Sequence, residues 1–153
     1  MNELEQKAYI FASIFALSNK LQVLGDAFDE NITIKQWLFI LGVSKFSEPP
    51  TVSEVANFIG YSRQNAKRIA VALDERGYIT ITKDKNDARA LRITLTQKCT
   101  EYFAKRSQRE LEFLDKLFTG FDTNLTSDVY RGLIRLAENI ELMMVMINGW
   151  QGE

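Results

Sequence analysis

The 153-residue sequence has no histidine, one cysteine and two prolines. Histidine is the usual general base near neutral pH and the commonest metal ligand. Its absence excludes a Ser-His-Asp triad and a histidine-based zinc site. Cys99 stands alone, so no intrachain disulfide can form, which fits a reducing compartment. Two prolines and eight glycines are too few for long disordered linkers. No GxGxxG or P-loop pattern is present, and no acidic pair stands apart from the other surface charges. No enzymatic activity, cofactor or metal is therefore expected. Long apolar runs are also lacking. The segment AYIFASIFAL (8–17) is cut short of a membrane span by Asn19 and Lys20, and the preceding MNELEQK carries two glutamates and one lysine, the wrong sign for a secretion signal. A cytoplasmic protein without a membrane partner is expected.

What is present is ordinary globular material, 46% hydrophobic and 25% charged, enough for one domain with helical extensions. The net charge of −1 is unevenly spread. Residues 1–50 and 97–153 each carry −2, whereas residues 51–96 hold 8 cations against 5 anions, or +3. A basic middle between acidic flanks points to an anionic partner held at the middle.

Apolar residues at Ile10, Ile14, Leu17, Leu21, Leu24 and Phe28 alternate at spacings of 4 and 3, the seam of a packed helix. Val129, Leu133, Leu136, Ile140, Met143 and Ile147 repeat the pattern near the other end. A third helix is expected over 100–118, with Phe103, Leu111, Leu114 and Leu117 or Phe118 inward and Gly120 ending it. Two distant seams can close an intramolecular bundle or the interface of a helical homodimer; the dimer is the favoured expectation.

Between them, IKQWLFILGVSK (34–45) reads as a short helix that EPP (48–50) breaks. Thr51 and Glu54 form the T-x-x-E capping box of a next helix, with Val55, Phe58 and Ile59 as its buried face and Gly60 in the turn after it. Ser62 caps a second helix, SRQNAKRIAVALDERG, with Ala66, Ile69 and Leu73 inward and Gly77 closing it. Two short helices joined by a glycine turn are the helix-turn-helix pattern. Arg63, Gln64, Asn65, Lys67 and Arg68 crowd the first two turns of the second, with no acidic residue as far as Ala72. These side chains suit base edges and phosphates, and this end of a recognition helix enters a major groove. A solvated helix face explains any one of them but not the group, because surface faces usually mix signs.

Ile79 and Ile81, then Leu91, Ile93 and Leu95, alternate with polar residues as the two arms of a hairpin. Its tip and arms hold Lys83, Lys85, Asp87, Arg89 and Arg92, more cations than a purely structural ribbon needs. The fold expected is mainly α with a small β-hairpin: a winged helix-turn-helix over 34–97, with helical dimerisation segments at 1–33 and 98–153.

Residues from Ile34 to about Lys105 resemble the multiple-antibiotic-resistance regulator (MarR) family of winged-helix transcription factors. SRQNAKRIAVALDERGYI matches a recognition helix and its exit, DARALRITLT a wing, and long helices flank both. The more specific piece is Asp87-x-Arg89 followed by Leu95-Thr96. The resemblance extends over essentially the whole chain, with weak motifs outside 51–96. It implies that Arg89 reaches a minor groove, that Asp87 helps hold the wing tip, and that the outer helices pair two copies. Relatives often carry glycine three residues after the Leu-Thr pair, where this chain has Cys99. Relatives that sense oxidants usually carry the cysteine in the first helix, so Cys99 is expected to be a partly buried small residue. Relatives often bind small aromatic molecules; Phe11, Phe15, Trp37, Phe39 and Phe46 occupy the corresponding region. The function expected is a homodimeric, ligand-responsive, sequence-specific repressor on double-stranded operator DNA. Its DNA-binding residues would be Ser62, Arg63, Gln64, Asn65, Lys67, Arg68, Lys83, Lys85, Asp87 and Arg89. The alternative is a winged-helix protein-interaction module, an antirepressor or adaptor that does not itself read DNA.

Overall fold

A computed structural model describes the backbone of residues 1–150 and the side chains of residues 1–147. The elements run α1 (Glu3–Phe28), α2 (Ile34–Val43), α3 (Val52–Ile59), α4 (Arg63–Glu75), β1 (Ile79–Lys83), β2 (Leu91–Leu95), α5 (Gln97–Leu117) and α6 (Thr123–Trp150). They fall into two compact units, residues 1–105 and 106–153, with the boundary inside α5.

In the first unit, every helix start is chemically marked. Asn2, Thr33 and Thr51 each close a capping box with the residue three positions on, and Ser62 Oγ accepts from the Asn65 amide at 3.2 Å. Gly60 ends α3 at φ +74°, a left-handed conformation that costs a glycine nothing. The turn it makes aims α4 away from α3. Gly42 lets α2 and α3 touch: a Cβ there would lie 2.8 Å from Ile59. The core joins Ile32, Phe39, Ile40 and Val43 to Val52, Val55, Ala56, Ala66, Ile69 and Leu73, and closes on Tyr78, Ile79, Ile93 and Cys99. Ala66, Ile69 and Leu73 face inward as their spacing predicts. Phe58 does not. It is 59% exposed and packs edge-on against Phe46 at 5.8 Å, while Ala56 takes the buried place beside Val55. An eight-residue helix turns only one narrow stripe to the core, and Val52, Val55 and Ala56 fill it.

The hairpin pairs antiparallel, Ile79 with Leu95 and Ile81 with Ile93. A short third segment lies along β2. Thr51 bridges Arg92, and the Ile93 amide donates to the Pro50 carbonyl at 2.9 Å. Helix α2 ends at Val43, five residues before the EPP segment, which instead extends the sheet, on an edge where proline's missing N–H is harmless.

The exit of α4 is tied to the end of α1. Arg76 donates to the Asn31 carbonyl, and Lys98 donates to the Arg76 carbonyl at 2.6 Å while lying 4.7 Å above the Tyr78 ring. Tyr102 donates to Asp29, which also caps the turn after α1 through the Asn31 amide at 2.8 Å. Cys99 is fully buried, 1% exposed, and burial pushes its thiol pKa up. It is more enclosed than expected, and a thiol kept protonated out of solvent does not suit an oxidant sensor.

The second unit is helical. Gly120 adopts φ +85° between α5 and α6, and Asp122 caps α6 by accepting from the Leu125 amide at 2.8 Å. Leu111, Leu114, Leu117 and Phe118, expected inward, are exposed in the single chain. So are Val129, Leu133, Ile140, Met143 and Ile147 of α6, and Ile10, Ile14, Leu17, Leu21 and Leu24 of α1. Leu136 alone of the α6 seam with Phe28 of the α1 seam is half-buried. Among the described residues, no helix is long and apolar enough to cross a membrane, and no group of histidine, cysteine and carboxylate side chains could hold a metal ion.

Candidate nucleic-acid interface

The start of α4 projects its polar side chains from the body of the first unit. Ser62, Gln64, Asn65, Lys67, Arg68 and Val71 line an open concavity along the helix. Within it Arg68 donates to Asn65 Oδ1 at 3.2 Å. Lys67 also borders a second cleft, shared by the starts of α3 and α4 and the return of the wing, where Arg63, Asp87 and Arg89 meet it. Arg63 is aimed into place by Ser53, whose Oγ accepts from its Nε at 2.8 Å.

The wing is built around a carboxylate that sequence reasoning passed over. Asp84 accepts from the amides of Asn86 at 2.8 Å and Asp87 at 3.0 Å and pairs with the Arg92 guanidinium. Arg92 also donates to the Pro49 carbonyl at 2.8 Å. Arg92 is therefore a strut between the two wing arms and the segment before α3, and it drops out of the cations free to meet a partner. Arg76, bound to Asn31, drops out for the same reason. The signal for Asp84 was its position two and three residues before Asn86 and Asp87, the spacing of an Asx turn. Asp87 caps the next turn, accepting from the Arg89 amide at 2.9 Å. Lys83 and Lys85 flank Asp84 on the other side of the wing, and both are exposed.

The Arg92 guanidinium, followed by the two amides, holds the Asp84 carboxyl down to about 2. A depressed carboxylate contributes stability that is complete above its ordinary value near 3.8 and lost as pH falls through about 2. The side-chain carboxyl resonance of Asp84 should titrate with a midpoint below 3, and Arg92→Ala should return it towards 3.8. A wild-type midpoint near 3.8 would show that the strut does not form in solution.

The five aromatics are differently placed. Phe39 lies wholly inside the core, enclosed by its neighbours, and offers no surface to a ligand. Trp37 and Phe46 pack on the core's edge, partly exposed. Phe11 and Phe15 are exposed on α1, stacked edge-to-face at 5.2 Å.

The MarR family profile matches residues 30–90, from the end of α1 to the wing. That segment is similar in sequence to the MarR family. Over 71 residues it is 35% identical to the transcriptional repressor MprA of Escherichia coli K12, an alignment covering 46% of this chain and 40% of that repressor. The chain thus aligns with less than half the length of this curated relative. Among solved structures, a MarR/EmrR family regulator from Acinetobacter sp. ADP1 superposes with a TM-score of 0.77 at 22% identity, covering 89% of this chain and 97% of that one. The PcaV regulator from Streptomyces coelicolor, solved in complex with its natural ligand, gives 0.71 at 15%, covering 82% and 89%. MarR-family proteins are transcription regulators, and the arrangement of α2 to β2 as a winged helix-turn-helix is theirs.

Proposed function

We propose that this protein is a cytoplasmic, homodimeric repressor, not an enzyme, that reads double-stranded operator DNA with α4 and flanks it with the wing. The observation that supports this most is the meeting of two remote cation sets. Arg63 and Lys67 on α4 and Arg89 on the wing border one cleft, although the wing arginine lies more than twenty residues along the chain. Gln64, Asn65 and Arg68 occupy the helix face that would enter the major groove, where amide and guanidinium groups discriminate base edges. Ser62, Lys83 and Lys85 complete the surface towards the phosphates, and Asp87 shapes the wing.

A second copy of the chain would cover the apolar side chains that α1 and α6 each leave exposed, because apolar exposure of that extent is uncommon on a monomer. In such a dimer residues 1–33 and 98–153 hold the copies together and residues 34–97 bind. Two recognition helices then meet half-sites about one helical turn apart, roughly 34–36 Å. The effector in this reading is a small aromatic molecule; PcaV, solved with its natural ligand, supports response to a ligand of some kind. Phe11, Phe15, Trp37 and Phe46 retain ring surface for such a molecule; Phe39 does not. An effector that favours a different helix spacing would lower affinity by population shift.

The exposed Phe58 beside Phe46 favours a second reading, a winged-helix module that docks on a protein as adaptor or antirepressor. Selecting bound sequences from a random duplex library, then measuring affinity against salt, separates the two. Enrichment of a palindromic site with a steep salt slope supports the repressor. No enrichment and no salt-dependent binding would overturn it.

A further inference from the structure

The cleft between the starts of α3 and α4 and the wing differs from the open face of α4 in its chemistry. It holds three cations, Arg63, Lys67 and Arg89, and a single carboxylate, Asp87. That carboxylate is turned to the wing's own backbone, accepting from the Arg89 amide. Arg63 is held there by a neutral partner on a different helix, the Ser53 hydroxyl, which fixes the guanidinium through Nε and leaves its charge uncompensated. The Nη groups of such an arginine present a planar fork, the geometry that suits a phosphate. Gln64, Asn65 and Arg68 line the other concavity, on the far side of Lys67.

We infer that the binding surface is divided, with Arg63 and Lys67 clamping one backbone phosphate in this cleft, Arg89 left at its wing edge for the groove beyond, and Ser53, on α3, acting as the positioning residue that aims Arg63. Arg63 then carries affinity without sequence preference, although it opens the recognition helix. This rests on the DNA-binding reading above and adds to it a division of labour. A hydroxyl at position 53 is required because a carboxylate there would cancel the charge and an aliphatic side chain would let the guanidinium swing.

The test titrates the full-length wild type, Arg63→Ala, Ser53→Ala, Ser53→Thr and Gln64→Ala against the selected operator and a scrambled duplex over a salt series. Arg63→Ala should lower both affinities by the same factor, on the order of tenfold, and make the slope of log affinity against log salt shallower by about 1.8, one phosphate contact being lost in each of the two protomers. Ser53→Ala should give a smaller uniform loss at unchanged melting temperature and Ser53→Thr should restore it. Gln64→Ala should change the operator-to-scrambled ratio instead. A changed ratio in Arg63→Ala, an unchanged slope, or Ser53→Ala binding like wild type overturns the clamp while leaving DNA binding standing. Wild type that binds neither duplex sinks the DNA reading itself.

Discussion

Leu133→Lys combined with Ile140→Lys should yield a folded monomer whose operator affinity is at least about a hundredfold below wild type. Both side chains lie on α6 and are more than half exposed in the single chain, 55% and 51%. A lysine at either place meets solvent in a free chain and an apolar partner surface in a dimer, where an ammonium loses its hydration. Leu136 belongs to the same seam but is half-buried already, so a charge there would damage the single chain as well and blur the result. The loss of DNA affinity follows from geometry. Two linked recognition helices make the second half-site contact intramolecular, and avidity of that kind exceeds a single site by about 10²–10⁴. Light scattering gives the mass, circular dichroism the helix content, and fluorescence anisotropy the affinity. A wild type that is monomeric at every concentration would end the dimer proposal.

Arg89→Ala and Arg92→Ala should separate, although the two arginines are three residues apart. Arg89 is exposed, and only its backbone is engaged, by Asp87. Its side chain is free to enter a narrow minor groove, whose negative potential attracts a guanidinium. Its removal should cut operator affinity by about tenfold to a hundredfold, the range of a good base-level contact of about 1–3 kcal/mol, with dimer mass and melting temperature nearly intact. Arg92 bonds Asp84 and the Pro49 carbonyl. Its removal should lower the melting temperature, loosen the amides of Asn86 and Asp87 in hydrogen exchange, and weaken binding less than Arg89→Ala does. Equal affinities of wild type and Arg89→Ala would mean that the wing does not touch DNA as proposed. A stability loss in Arg89→Ala matching that of Arg92→Ala would make both arginines structural.

The helices could be read from the chain because their signals are local. Thr51 with Glu54 and Ser62 before Asn65 are caps whose partners lie three residues away, and each makes the bond its spacing predicts. The alternation of Ile79 and Ile81 with Ile93 and Leu95 marks a hairpin whose register then follows from the pleat. The candidate DNA-facing residues stand out for the same reason, since Arg63, Gln64, Asn65, Lys67 and Arg68 follow a cap in a polar stretch broken only by the inward Ala66.

The roles of individual side chains were not legible where their partners are remote. Arg92 looks like one more wing cation until the Pro49 carbonyl, 43 residues away, is placed beside it. Arg63 looks like one more unattached side chain of α4 until Ser53, ten residues earlier on another helix, is placed beside it. Phe58 reads as core because its helix is amphipathic, yet Val52, Val55 and Ala56 fill the stripe that faces the core and the ring stays exposed against Phe46. Asp84 gathers two amides and a guanidinium only once the hairpin has closed and brought Arg92 across from it. Caps and periodicity are properties of a few consecutive residues and survive in any context. The partner of a long, charged or aromatic side chain is set by which elements pack together, and that is a property of the folded chain alone.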